Sequence, residues 1–275
     1  MDIQTYLKQA TRTFTDASVD SARLDCLILL EDALGKDRAW ILAHPEYELP
    51  DMIIDELNKK VTQRKIHIPL AYIRGQSEFY GKTFYVNEHV LEPRPETETM
   101  LTLLLELPLQ DTPTIVDVGT GSGVLAISSK LELPAAHVFG IDIDPACLEV
   151  SQCNAKTLHA DVAWLEGDLL KTATTPTEID VVLANLPYVP DGFPINTAAE
   201  HEPRLAIFGG PDGLELYRQM FDQLQIIKAP YVLTEALYDQ HTDLAAIATD
   251  AGYKLTKQQD LIQLFELANQ TPTNI

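Results

Sequence analysis

The sequence predicts an α/β protein in which a parallel β-sheet with helices on both faces follows a small all-helical domain. Three observations carry this. From Pro93 onward, strand-like and helix-like segments alternate, the pattern of a sheet covered on both sides. The β-branched run Thr114-Ile115-Val116-Asp117-Val118 passes through Gly119-Thr120-Gly121-Ser122-Gly123 into the helix-like stretch from Val124 to Lys130, so strand, glycine turn and helix follow in order. Residues 1 to about 68 show only helical spacing.

The expected domains are a helical domain over 1–70, a β-hairpin linker over 71–92 and the sheet domain over 93–275. In the first, Leu24, Leu27, Ile28 and Leu34 recur at helical intervals after Asp20-Ser21, and Gly35 closes that helix. A second helix starts near Asp51 and carries Ile53, Ile54, Leu57 and Val61 on one face. Between Gln76 and Val90, Phe79, Phe84 and Val86 alternate with polar residues around Gly81-Lys82, which predicts a hairpin. Pro95 with Glu96 and Glu98 marks a helix N-terminus. A second strand, Val138 to Ile141, runs into Asp142, and Asp144-Pro145 opens the next helix with Asp144 as its cap. A third, Val162 to Glu166, ends at Gly167-Asp168, and the apolar run Ile179 to Ala184 ends at Asn185. A helix over 213–228, a strand Tyr231–Glu235, a helix to about Asp250 and two closing strands from Gly252 complete the chain.

Composition narrows the function. At 275 residues the chain has room for two cores. Its formal net charge of −21 argues against a broad nucleic-acid surface, which needs cations to displace phosphate counterions. It suits a basic protein partner. The densest basic cluster, Lys59-Lys60 with Arg64-Lys65, reads as the solvated face of a helix. Cys26, Cys147 and Cys153 are odd in number, with no Cys-x-x-Cys pair and no histidine cluster. This pattern excludes a disulfide scaffold or a zinc ribbon, fits a reducing compartment and leaves no metal site to expect. The N-terminus lacks a signal-type basic and apolar region, and no apolar run approaches the ~20 residues of a membrane span. A cytoplasmic protein, taken as a monomer, is expected.

The chemistry is written at the strand ends. Asn185-Leu186-Pro187-Tyr188 places a carboxamide, a carbonyl and an aromatic ring after a strand. The Asn185 side-chain oxygen and the Leu186 carbonyl can each accept one N–H of a planar amino group, and the Tyr188 ring can lie against its plane. Leu186 is pushed toward extended backbone by the following proline, and Pro187 has a fixed φ. The same four residues also fit a plain strand followed by a proline turn. The glycine loop has Gly-x-Gly-x-Gly spacing with Leu125 near the last dinucleotide-fingerprint position, so a pyrophosphate cradle is the poorer match. Asp142 is suited to two ribose hydroxyls. Asp168 can accept from an exocyclic amino group such as that of adenine, or simply form a Gly-Asp turn.

Taken together, glycine loop, Asp142, Asp168 and Asn-x-Pro-Tyr resemble the motif series of S-adenosylmethionine-dependent amino-group methyltransferases. With Pro69-Leu70-Ala71-Tyr72-Ile73-Arg74-Gly75, Glu78-Phe79-Tyr80-Gly81, Glu92-Pro93-Arg94-Pro95-Glu96-Thr97-Glu98, Glu202-Pro203 and Gly209-Gly210-Pro211-Asp212-Gly213-Leu214, essentially the whole chain resembles the protein-(glutamine-N5) methyltransferases that modify peptide chain release factors. The resemblance implies a Rossmann-like class I methyltransferase sheet, S-adenosyl-L-methionine as cofactor and a release factor as protein substrate gripped by the helical domain. It further implies a cofactor site of Asp117, Gly119, Thr120, Gly121, Ser122, Gly123, Asp142, Asp168, Leu169 and Asn185. The resemblance likewise implies that Asn185, Leu186, Pro187 and Tyr188 form the catalytic loop, which would hold the glutamine amide of a Gly-Gly-Gln tip.

Three departures stand out. Leu186 occupies a position that is usually proline, keeping the carbonyl while losing the ring. Leu169 replaces a common tryptophan, so an aliphatic face would meet the adenine. The closing Asp-x-x-Gly-x-x-Arg is reduced to Asp260-Leu-Ile-Gln-Leu-Phe-Glu. Asn-Leu-Pro-Tyr also occurs in methyltransferases of adenine in ribosomal RNA, so amino-group methylation of adenine in RNA or DNA is the alternative. An inactive cofactor-binding module would not need Asn185, Pro187 and Tyr188, and a dehydrogenase is disfavoured by the glycine spacing.

Overall fold

The computed structural model describes residues 1–268, which form two compact units: residues 1–76 with 195–201, and residues 77–194 with 202 onward. The first unit holds five helices, α1 (Ile3–Asp16), α2 (Ala22–Leu34), α3 (Arg38–Ala43), α4 (Asp51–Lys65) and α5 (Leu70–Arg74). Asp2 and Asp37 cap α1 and α3 by accepting from the main-chain N–H of Thr5 and Trp40, and Gly35 closes α2 in the left-handed region at φ 61°. The core is Ile3, Tyr6 and Phe14 of α1, Leu27, Leu29 and Leu30 of α2, Ile41 of α3 and Leu57 of α4. The stripe expected on α2 is therefore rotated. Leu24 is exposed and Ile28 only partly buried, because α2 packs against α1, α3 and α4 and buries Cys26, Leu27, Leu29 and Leu30 instead. The Lys59–Lys65 cluster is not a uniform solvated face either. Arg64 turns inward onto buried Asp25, with Nε 2.7 Å from Oδ2, and Lys60 pairs with Glu56 at 2.9 Å.

The hairpin forms as expected from β1 (Gln76–Phe79) and β2 (Lys82–Tyr85). Tyr80 and Gly81 take φ 48° and 68°, the two consecutive left-handed residues that a tight hairpin turn requires. In the second unit, α6 (Glu98–Leu105) precedes β3 (Thr114–Val118), α7 (Val124–Glu132), β4 (His137–Asp142), α8 (Pro145–Leu158), β5 (Ala163–Asp168), β6 (Lys171–Thr172) and β7 (Val181–Ala184). Then come α9 (Glu215–Ile227), β8 (Tyr231–Glu235), α10 (His241–Asp250), β9 (Tyr253–Gln259) and β10 (Ile262–Leu267). They form one sheet in the order β6-β5-β4-β3-β7-β8-β10-β9. The strands from β5 to β8 run parallel, while β6, β10 and β9 are antiparallel to their neighbours.

The parallel strands β3, β7 and β8 are buried on both faces, as is most of β4, which explains their apolar runs, whereas β5 nearer the edge is only partly covered. Val116, Val118, Val182 and Ala184 face α9 and α10, packing near Tyr217, Met220, Phe221 and Leu244. Ile115, Val181 and Leu183 face α6 and α7, with Met100, Leu104, Leu125 and Ile127. From β3 the chain progresses through β4 to β5 on one side and later fills β7 and β8 on the other, so the order reverses between β3 and β7. A crevice at the carboxyl ends of those two strands is where this topology binds ligands.

Candidate active site

A cavity of about 410 Å³ opens at that reversal. From β3 and the following turn come Asp117, Gly119, Thr120, Gly121 and Ser122; from β4, Asp142; from β5, Asp168 and Leu169; from β7, Asn185, Leu186 and Pro187. These residues lie up to 70 positions apart in sequence and meet because four parallel strands end side by side. Of the residues singled out in the sequence, Gly123 and Tyr188 do not line the cavity. Gly123 sits at the start of α7 beneath packed side chains, where a Cβ would come within 2.9 Å of Ser151 Cβ and 3.0 Å of Trp164. Gly119 has φ 70°, and a Cβ there would lie 3.0 Å from Leu186 Cδ2, so the glycine loop and the loop after β7 touch.

Two buried carboxylates shape the floor. Asp117, 1% exposed, accepts from Thr120 Oγ1 at 2.6 Å and from the Ala126 N–H at 3.1 Å, both on Oδ2. Burial pushes its pKa up to about 7, outweighing those two donors, and the nearby Asp142 adds to the rise. Asp142 is also raised, mainly by burial, and takes the Gly121 N–H at 2.8 Å on Oδ2 and the Asp144 N–H at 3.0 Å on Oδ1. Each oxygen keeps a lone pair for a further donor. Asp144 accepts from Ala146 N at 2.9 Å and so caps α8, as its Asp-Pro pair predicts. Asp168 is exposed at the rim. Leu169 holds a left-handed φ of 58°, uncommon for a leucine, with the next residue's N–H fixed on Gln223 Oε1 at 2.8 Å.

The loop 185–188 is framed by side chains that the sequence did not single out. Asn185 Nδ2 donates to Thr97 Oγ1 at 3.0 Å, and Thr97 Oγ1 donates to Glu235 Oε2 at 2.7 Å. Tyr188 donates its hydroxyl to Glu235 Oε1 at 3.1 Å. The Leu186 N–H donates to the Tyr217 hydroxyl at 3.2 Å, which donates in turn to the Glu235 carbonyl at 2.5 Å. Glu235 is 1% exposed, and burial raises its pKa despite the two hydroxyl donors. It was discoverable: Tyr231–Glu235 is an apolar strand ending in an acid, the feature that exposed Asp142. Among the described residues no protein donor reaches Asn185 Oδ1 or the Leu186 carbonyl.

Arg94 lines the pocket and pairs with buried Glu202, Nη2 to Oε2 at 2.5 Å, tying the 92–94 segment to Glu202. Asp260, in the truncated closing motif, is a turn residue between β9 and β10 that accepts from Thr99 Oγ1 at 3.1 Å. His201 bonds through Nε2 to the Ile66 carbonyl at 2.9 Å.

A family model described as PrmC N-terminal domain matches residues 5–75, and one described as Ribosomal protein L11 methyltransferase (PrmA) matches residues 94–187. A methyltransferase of Pyrococcus furiosus shares the fold at a TM-score of 0.52 and 13% identity, covering 69% of this chain and 91% of that one. Among curated proteins, the release factor glutamine methyltransferase of Bacillus anthracis is 41% identical over 207 residues, 72% of each chain. That of Deinococcus radiodurans is 32% identical over 266 residues, 95% of each chain. With such relatives matched over most of their length, the chain belongs to the release factor glutamine methyltransferase family.

Proposed function

We propose that the protein transfers a methyl group from S-adenosyl-L-methionine to the side-chain amide nitrogen (N5) of the glutamine in the Gly-Gly-Gln motif of a peptide chain release factor. The observation that carries this is the pairing of two acceptors without protein donors, Asn185 Oδ1 and the Leu186 carbonyl, on residues that line one cavity with the glycine loop. An amide nitrogen is a poor nucleophile because its lone pair is delocalised into the carbonyl. Two acceptors that take both of its hydrogens hold the nitrogen in one orientation, and such preorganisation is worth roughly 7–11 kcal/mol of barrier in favourable systems. The proton leaves after the new bond forms, when the nitrogen has become acidic, so no general base is required.

The cavity suits the cofactor. Asp142 retains lone pairs for two ribose hydroxyls, Asp168 sits exposed at the rim for an exocyclic amino group, and Leu169 offers an apolar face. Asp117 is a buried carboxylate with no cationic partner among the described residues, in a cavity whose proposed ligand is cationic. When bound, S-adenosyl-L-methionine supplies an electrophilic methyl on a positively charged sulfur. The acidic chain and its family both favour a protein acceptor over adenine in RNA or DNA. Among the described residues no helix is long and apolar enough to cross a membrane, and we assign the activity to the cytoplasm, where release factors act.

Incubating the protein with cofactor and a purified release factor, then analysing the Gly-Gly-Gln peptide by mass spectrometry, should show one added methyl on the glutamine. Asn185→Ala should lower the rate by about 100-fold or more while changing cofactor affinity little. Methylation of RNA instead of the peptide, or a near-wild-type Asn185→Ala, overturns the assignment.

A further inference from the structure

We propose that Thr97 and Tyr217 are positioning residues that aim the two acceptors of the catalytic loop, both anchored on Glu235. The inference rests on the amide-holding reading above and names what keeps that grip oriented.

A carboxamide is almost symmetric in shape, so packing alone does not decide whether Asn185 offers an oxygen or an NH₂ to the cavity. An NH₂ turned toward a substrate amide would set donor against donor. The direction of hydrogen bonding decides. Thr97 has a single hydroxyl hydrogen, and the Glu235 carboxylate, which accepts but does not donate when ionised, takes it at 2.7 Å. The hydroxyl oxygen is then left to accept from Asn185 Nδ2 at 3.0 Å, and Oδ1 is the atom released to the other side. Tyr188 takes up the second carboxylate oxygen at 3.1 Å, so Glu235 cannot rotate its charge away from Thr97 without giving up a bond.

The second acceptor is aimed through the main chain. Proline at position 186 would fix its own φ but has no N–H; leucine has the N–H and loses the ring. Here that N–H donates to the Tyr217 hydroxyl at 3.2 Å, and the hydroxyl is held by its own donation to the Glu235 carbonyl at 2.5 Å. The bond fixes the peptide plane before Leu186, and Pro187 restricts ψ after it. The Leu186 carbonyl is set between the two, by a hydrogen bond in place of a ring. Tyr217 is fully buried on α9, so it reaches this loop from the protein side and does not touch substrate.

The test uses the full chain, a purified release factor and saturating cofactor. Thr97→Val should lower kcat by between about 10- and 100-fold with KM and cofactor affinity within about twofold, and Thr97→Ser, which keeps the hydroxyl, should restore most of the rate. Tyr217→Phe should lower kcat about tenfold in the natural chain. In a Leu186→Pro background, where no N–H remains to be held, it should change kcat less than twofold, giving strong non-additivity. In ¹⁵N-labelled protein, one Asn185 side-chain NH₂ proton should be protected from exchange, with protection lost in Thr97→Val. Full kcat in Thr97→Val, a Thr97→Ser as slow as the valine variant, equal Tyr217→Phe effects in both backgrounds, or unchanged NH₂ protection overturns the proposal. Failure of the glutamine reading looks different: the wild-type chain would leave the release factor unmethylated and modify adenine in RNA or DNA, the variants then being scored on that acceptor, while the NH₂ exchange reports on the frame whatever the acceptor.

Discussion

The helical unit and the sheet unit each bury an aspartate almost completely, and they treat it in opposite ways. Asp25 of α2, 3% exposed, meets the guanidinium of Arg64, whose Nη1 also reaches the Ile68 carbonyl at 3.1 Å. Asp117 of β3, 1% exposed, meets one hydroxyl and one amide, with no cation among the described residues. A charge matched by an opposite charge and further hydrogen bonds is part of the architecture. A charge held only by neutral dipoles costs folding free energy, and such a residue marks a place where a ligand completes the balance. In this protein the first kind lies in a helical core, and the second lines the cavity.

The largest expected effect breaks the matched pair. Arg64→Met leaves Asp25 buried without its cation and should cost about 3–5 kcal/mol, read as a lower denaturant midpoint for the helical unit. The double variant Asp25→Leu with Arg64→Met replaces both charges by apolar groups and should recover most of the loss. A single variant as stable as wild type would mean that Asp25 is not held by charge at all.

The unmatched aspartate should show itself in pH dependence. With a folded pKa of about 7 against 3.8 for an ordinary carboxyl, Asp117 is bound more tightly to its proton in the folded chain than in the unfolded one. Its contribution to stability is therefore complete below about 3.8 and fades as pH rises to about 7. Cofactor affinity should run the other way if the ionised carboxylate meets a cationic ligand. It should weaken by up to about tenfold for each unit below pH 7, with proton release on binding visible by calorimetry in buffers of different ionisation enthalpy. Asp117→Asn should bind weakly and flatten the profile; an unflattened profile would move the titration to another group.

The same contrast explains what could be read from the chain. Strands ending in chemistry were legible because a buried parallel strand is a nearly uninterrupted apolar run, so Asp117, Asp142 and Asn185 stand out as polar breaks. Asp144 as a cap and the hairpin after Gln76 were legible because local backbone rules suffice for them, although the turn falls on Tyr80-Gly81, one residue before the Gly81-Lys82 expected. Thr97, Tyr217 and Glu235 were not singled out, since their significance lies in a mutual approach across 138 positions of sequence, Thr97 to Glu235. The α2 stripe was misjudged for a related reason. A helix packed on several neighbours buries more than one face, so Leu24 lies outside while Leu29 and Leu30 lie inside.

The smallest expected effect sharpens the comparison through two glycines. Gly35 in the helical unit and Gly119 in the cavity both hold left-handed backbone, at φ 61° and 70°. Alanine at either pays the same conformational penalty, about 1–2 kcal/mol. The surroundings differ: a Cβ at 35 meets nothing within 4 Å, whereas one at 119 meets Leu186 Cδ2 at 3.0 Å. Gly35→Ala should therefore lower the melting temperature by a few degrees and leave methyl transfer unchanged. Gly119→Ala should lower it comparably and also slow turnover several-fold, because the side chain that must yield belongs to the residue whose carbonyl is proposed to hold the amide. Shortening that side chain in Gly119→Ala with Leu186→Val should return part of the rate without returning the stability. If instead both glycine variants lose activity only in proportion to folded protein, the glycine loop does not press on the catalytic loop and the two motifs act independently.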